Sequence, residues 1–401
     1  MTTDSRAIEP GSLFFALRGG NFDGNRFAAD ALDKGAAFAV VDDPRIALDE
    51  RYLVVADSLL ALQHLASHHR RALGIPVLAI TGTNGKTTTK ELVARVLAGK
   101  YRVSVTRGNL NNHIGVPLTL LAMGRDTQFG VVEMGASAGG EISTLCGIAA
   151  PDFGIITNVG RAHLEGFGGF EGVKRAKGEL YDYLAGHGGT AFVAMDDDEL
   201  SAMAAGREGM KVVPYTREDA EGIVNPLAGD YNLGNIAAAA AIGRHFGISR
   251  EEAARAVESY RPVNNRSQVV ETARNTVVLD CYNANPSSMR AAIADFAVKP
   301  SVMAKTVILG DMMELGLYAA AEHEAVISQL EEAGMNDVYL VGRYFSHAVR
   351  DYPSMPSEMQ VRTFADTSEL GEYLSASPLA GRRILVKGSR SVGLEKIAGL
   401  L

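Results

Sequence analysis

The stretch Ile80-Thr-Gly-Thr-Asn-Gly-Lys-Thr-Thr-Thr89 constrains this chain more than any other. It follows a short apolar run, Val77–Ile80, and leads into Thr88–Leu97, where Leu92, Val93, Val96 and Leu97 fall on one helical face. A buried strand that turns through glycines into a helix start leaves backbone N–H groups facing outward, a ready site for phosphate. Lys86 is placed to reach outer phosphates, and Thr87 to hold Mg2+. The loop is shorter than the standard phosphate loop, which has Gly five residues before Gly85, where this chain has Ile80. The candidate phosphate-binding residues are therefore Gly82, Thr83, Asn84, Gly85, Lys86, Thr87 and Thr88.

The rest of the chain repeats the strand-then-helix texture. Phe129–Met134 and Phe153–Asn158 read as buried strands, and Asn235–Phe246 as an Ala-rich helix. Ser249 and Glu252 form a capping-box pattern that opens the next helix. Glu91 and Arg95 stand at i,i+4 on the polar side of the phosphate-loop helix and are expected to pair. From Asn264 a second α/β texture begins, with strands at Val277–Cys281, Thr306–Leu309, Val338–Val341 and Ile384–Val386. Helices are expected between them, including Ser287–Phe296 and Ala319–Ala333. Strands alternating with helices predict an α/β fold with parallel sheets covered on both faces.

A chain of 401 residues implies two or three domains at about 150 residues each. The texture breaks at Gly74-Ile-Pro76 and near Asn264, which divides the chain into 1–74, 75–262 and 263–401. Composition narrows the function classes. The net charge of −8 argues against a general nucleic-acid binder. Two cysteines fit a reducing, cytoplasmic setting and exclude a four-Cys zinc module. No apolar run reaches the ~18 residues of a membrane span, and no signal peptide is visible.

Glu133 closes an apolar strand, where open α/β sheets bind their ligands, and is a candidate Mg2+ ligand. His163 lies just past the next strand and is a candidate metal ligand. Lys174, Arg175 and Lys177 follow on one helix, and charge alone does not choose among them.

The short loop, Glu133, His163 and Lys177, in that order, resemble the Mur ligase family of ATP-dependent amide-bond ligases. Gly108-Asn-Leu-Asn-Asn-His-Ile-Gly115 and Asp280-Cys-Tyr-Asn-Ala-Asn-Pro-Ser-Ser-Met289 resemble segments typical of its dipeptide-adding branch. Thr3-Asp-Ser-Arg6 with Pro10–Leu17 resembles the family's uridine-binding domain. The resemblance runs essentially end to end. It implies a three-domain architecture with a central phosphate-loop sheet and a Rossmann-like C-terminal domain. It implies ATP and Mg2+ as cofactors and UDP-N-acetylmuramoyl-tripeptide and D-alanyl-D-alanine as substrates, joined by a monomeric cytoplasmic enzyme of peptidoglycan synthesis.

Residue by residue, the resemblance implies that Lys86 and Thr87 hold ATP phosphates and Mg2+. Glu133 would bind that Mg2+, and His163 a second one. Lys177 matches a lysine that is carbamylated in relatives, which turns a cation into an anionic metal ligand. Asn235 would contact adenine and Asp280 the ribose, with Asn283 beside the nucleotide. Arg266 would reach the γ-phosphate from the C-terminal domain. Asn109, Asn112, His113, Lys387 and Arg390 would contact substrate, and Ser5 and Arg6 the uridine nucleotide. The family also implies a further helix and strand ahead of Thr3.

Two other readings follow from the same residues. One is a different ligase of the family, including one that adds glutamate to folate. The other is a nucleotide-dependent switch or an inactive binding module.

Overall fold

The computed structural model describes residues 1–262 and 264–401. Its centre is a six-stranded, all-parallel sheet. Across the sheet the strands run Lys211–Tyr215, Thr190–Ala194, Phe153–Ile156, Val77–Thr81, Phe129–Glu133 and Val103–Val105. Val77–Thr81 is the first of these in the chain and lies in the interior of the sheet. Later strands are laid down on both sides of it, so the connections part at its carboxyl end. That is the switch point where such sheets bind ligands.

The strand is apolar throughout because helices cover both faces: Val77, Leu78, Ala79 and Ile80 are fully buried. The phosphate-loop helix runs Lys86–Leu97 and begins two residues earlier than its apolar face predicts. Its neighbour Leu233–His245 packs closely along it through alanines at 237–241, all buried.

The first 74 residues hold a three-stranded parallel sheet, ordered Leu13–Phe15, Phe38–Val41, Tyr52–Val54, and the helix Ser58–Leu73. That helix ends at Gly74, whose left-handed φ of 61° stops it where the sequence breaks. Its buried Arg70 clamps the first unit to the central one. The guanidinium donates to the carbonyls of Ala149 and Ala150 at 2.9 Å and pairs with Asp152 at 2.8 Å. Two of these acceptors end the helix Glu141–Ala149, where a cation meets the negative end of the helix dipole.

The C-terminal part is a second six-stranded sheet. Its strands run Gln268–Glu271, Asn275–Asp280, Arg382–Lys387, Ala304–Gly310, Asp337–Val341 and Gln360–Phe364, with only the first antiparallel. The predicted capping box is present: Ser249 and Glu252 satisfy each other's backbone N–H. The expected joint at 262/263 touches Val263, which lies outside the described residues. Among the described residues no helix is long and apolar enough to cross a membrane.

Candidate active site

The carboxyl ends of the central strands open into a cleft of about 1130 Å3, closed on its far side by the C-terminal sheet. The phosphate loop forms its floor. A side chain at Gly82 (φ 138°) would stand 2.1 Å from Thr157 Oγ1, and one at Gly85 (φ 78°) 2.4 Å from Asn235 Oδ1. Both glycines are required by φ and by space. Asn158 grips the turn from the next loop: its Oδ1 accepts from Asn84 N–H and its Nδ2 donates to Asn84 O, each at 3.0 Å. Lys86 Nζ donates to the carbonyls of Gly82 (2.7 Å) and Thr83 (3.0 Å), so the ammonium lies along the loop. Burial, opposed by Glu133 and aided by Arg266, pushes Lys86 down to about 8.

Glu133 sits at the centre of a buried cluster. Its Oε2 accepts from Thr87 Oγ1 at 2.9 Å, its Oε1 accepts from Asn111 Nδ2 at 2.8 Å, and Lys90 Nζ stands 3.5 Å away. Glu133 and Lys90 are each only 2% exposed. The Thr87 hydroxyl and Glu133 carboxylate lie side by side at a phosphate-binding loop. This donor set fits Mg2+, which takes one or two protein oxygens and completes its shell with phosphate and water. Among the described residues, no three His, Cys, Asp or Glu side chains converge into a protein cage for a metal.

His163 has a left-handed φ of 49° and pairs through Nδ1 with Glu314, which arrives from the C-terminal sheet. Burial lowers its pKa, with Glu314 opposing. Lys177 is 3% exposed, its Nζ 3.4 Å from Ala136 O and 5.2 Å from the Phe167 ring centre. Burial first, and the charge of Lys86 second, push it down to about 7. An ammonium is no metal ligand, so Lys177 fits a metal only after its charge is reversed.

The C-terminal unit reaches the loop directly. Asn285 Nδ2 donates to Asn84 Oδ1 at 2.8 Å, and Arg161 N–H donates to Ser287 Oγ at 2.7 Å. Arg266 lies between Asn265 (φ 55°) and Ser267 (φ 46°), two left-handed residues that are not glycine. Its guanidinium covers one face of Tyr282 at 4.1 Å and Arg390 covers the same ring at 4.7 Å. Asp280 accepts from Lys387 Nζ at 2.6 Å and from Ser267 N–H at 3.1 Å.

Most of the expected residues converge here. The seven loop residues, Asn109, Asn112, His113, Glu133, His163, Asn235, Arg266, Asp280, Asn283 and Lys387 all line the cleft, apart from Gly82, which lies beneath it. Lys177 stands just behind the lining, against Ala136. Besides Gly82 and Lys177, three more do not join the lining. Ser5 and Arg6 stand in the first unit, where the exposed Arg6 is paired with Asp4 at 2.8 Å. Arg390 lies outside the lining and touches it through Tyr282.

Two of the lining residues are also engaged within the protein. Lys387 is 1% exposed and committed to Asp280, which makes it a holder of that carboxylate. Asn235 packs beneath Gly85 with both amide atoms engaged, accepting from Thr89 Oγ1 and donating to Asn232.

Sequence reasoning passed over Lys90, Asn111, Asn158, Tyr282 and Asn285. Asn111 lies inside the Gly108–Gly115 segment and Tyr282 and Asn285 inside Asp280–Met289; Lys90 and Asn158 carry no local signal. The expected Glu91–Arg95 pair does not form. Glu91 takes Tyr260 and Asn264 instead, and Arg95 lies over the Tyr260 ring at 5.5 Å.

Three family models cover most of the chain. They are described as the catalytic domain of the Mur ligase family (residues 1–81), the Mur ligase middle domain (80–225) and the Mur ligase glutamate ligase domain (265–390). The UDP-N-acetylmuramoyl-tripeptide–D-alanyl-D-alanine ligase of Bacillus subtilis is 33% identical over 99% of this chain and 92% of its own. A crystal structure of MurF from Acinetobacter baumannii superposes with a TM-score of 0.87 at 31% identity, over 99% of this chain and 92% of that one. The MurF ligase of Thermotoga maritima in complex with ADP matches with a TM-score of 0.85 at 26% identity, over 100% and 96%.

Proposed function

The chain belongs to the Mur ligase family, and from that membership we infer that it is the ATP-dependent ligase that joins D-alanyl-D-alanine to UDP-N-acetylmuramoyl-tripeptide. The observation that carries this reading is the meeting of Lys86, the Thr87–Glu133 pair and Arg266 at one cleft, although Arg266 belongs to a different sheet unit. The full-length likeness to relatives named for this reaction supports the choice of substrates.

The chemistry follows from charge. A carboxylate is a poor acyl donor, so one of its oxygens attacks the γ-phosphorus of ATP and ADP leaves. The acyl phosphate so formed is attacked by the dipeptide amine. A tetrahedral intermediate collapses, phosphate leaves and the amine loses its proton. Lys86 and the loop N–H groups bind the phosphates, and Arg266 stabilises charge on the transferring group. Thr87 and Glu133 would hold Mg2+, which when bound neutralises phosphate charge and orients the group for transfer. Asp280, held by Lys387, faces the nucleotide, as does Asn283. Asn109, Asn112 and His113 face the peptide substrate, with His113 tied to the first unit through Gln63 Nε2 at 3.0 Å. The first unit takes the uridine nucleotide. The C-terminal unit takes the dipeptide and excludes water that would hydrolyse the acyl phosphate. ATP and uridine nucleotides as substrates make the cytoplasm the site of action.

Lys177 suits carbamylation because only a neutral amine reacts with CO2, and a value near 7 leaves much of it neutral at neutral pH. Its carbamate with His163 would offer anionic and imidazole donors to a second metal. In CO2-depleted buffer, bicarbonate is expected to raise turnover. The gain should grow as pH rises through about 7, because the neutral fraction grows. A Lys177→Arg variant, whose side chain stays charged, should show no response. An equal response from both proteins would remove carbamylation from the account.

The reading as a whole is tested by phosphate release. Release should require ATP and UDP-N-acetylmuramoyl-tripeptide, and amide product should require D-alanyl-D-alanine. Release that ignores both substrates would favour a nucleotide switch, and turnover of folate with glutamate would move the protein within its family.

A further inference from the structure

We propose that Glu91 is a positioning residue for Arg266, tying the linker that carries this arginine to the same helix that binds the nucleotide phosphates. The proposal rests on the ligase reading. Glu91 sits just over one turn beyond Lys86 on the helix Lys86–Leu97 and lies outside the cleft lining. It touches no reacting group. Its carboxylate is instead shared by two residues of the segment that leads from the central sheet to the C-terminal one. Tyr260 donates its hydroxyl to Oε2, and Asn264 Nδ2 donates to both oxygens at 3.2 Å. Tyr260 is 5% exposed, so the contact is partly buried.

Arg266 follows Asn264 by two residues. On its other side Ser267 is anchored as firmly. Its Oγ meets Asn232 Nδ2 at 3.1 Å and Tyr231 OH at 3.0 Å, and its N–H donates to Asp280. Arg266 is thus held in a short loop pinned at both ends, between two residues in left-handed conformations that cost about 1 kcal/mol or more each. Such a backbone persists only where its surroundings hold it. Glu91 supplies the anchor ahead of Arg266 in the chain, and Tyr231 and Asn232 supply the one after it. A rigid helix thereby sets the separation between the lysine at its start and the arginine beyond the linker. A misplacement of about 1 Å at a transfer site costs on the order of 10²-fold.

The test is a double-mutant cycle on ligase turnover, with an inter-domain spin-label distance measured on the same proteins. Glu91→Ala is expected to lower kcat by about 10- to 100-fold, with KM for ATP within about twofold. Glu91→Gln, which keeps an acceptor for Tyr260, is expected to recover part of the loss. In an Arg266→Ala background, Glu91→Ala should add almost nothing, because its effect passes through Arg266. The inter-domain distance distribution should broaden in Glu91→Ala. Losses that multiply in the double variant, or an unchanged distance distribution, would overturn the proposal. A wild-type protein without dipeptide-dependent turnover would count against the ligase reading instead, and the distance measurement would then decide the role of Glu91.

Discussion

Replacing Arg266 by alanine is expected to lower turnover by about 10³-fold or more, with folding and nucleotide binding little changed. The magnitude is that of an arginine that meets a transferring phosphoryl group from another element. The fold should tolerate the change because, among the described residues, the guanidinium makes no buried ion pair; it lies on the face of Tyr282. Stacking of this kind contributes about 0.5–2 kcal/mol, a small part of the stability of a chain this size. Steady-state kinetics with thermal unfolding on the same protein separate the two effects. Wild-type turnover in this variant would remove Arg266 from the mechanism.

Replacing Glu133 by alanine is expected to damage both fold and activity. The carboxylate stands against Lys90 in a space where both side chains are 2% exposed. Removing it leaves an uncompensated buried ammonium, a change that costs about 3–5 kcal/mol. It also leaves the Thr87 hydroxyl and the Asn111 amide without their acceptor. A second variant separates stability from chemistry. Glu133→Leu combined with Lys90→Met removes both charges together, and such apolar replacements of buried pairs are often neutral or stabilising. The double variant should regain most of the denaturant midpoint and stay inactive. Recovery of turnover in it would show that neither charge takes part in catalysis.

The parts of the site that were legible in the sequence are those whose chemistry is local. The strand–loop–helix around Gly82–Thr88 announces itself because glycines, a lysine and a helix start must be contiguous to cradle phosphate. Glu133 and His163 were legible because strand ends in a parallel sheet share one edge. Lys90 was not, because a lysine in a helix reads as solvated until the opposing strand is known to bring a carboxylate to it. Helical spacing alone pairs Glu91 with Arg95. Such an exposed pair contributes about 0.3–0.5 kcal/mol, and hydrogen bonds from Tyr260 and Asn264 in a partly buried setting outcompete it. No spacing rule reaches the 169 residues between Glu91 and Tyr260. Asn285, which touches the loop from 201 residues away, is the same case. The strand Gln268–Glu271 was missed because it lies antiparallel at a sheet edge with alternating exposure, and so lacks the continuous apolar run of its neighbours.

The central claim is that the cleft transfers phosphate to a peptide carboxylate before the amide forms. It is tested most directly by labelling the reacting carboxylate of UDP-N-acetylmuramoyl-tripeptide with 18O and analysing the phosphate released during synthesis with D-alanyl-D-alanine. An acyl phosphate sends one carboxylate oxygen out with the phosphate, so the account predicts one 18O atom in each phosphate formed from fully labelled substrate. Phosphate free of 18O, with amide product still forming, would contradict it.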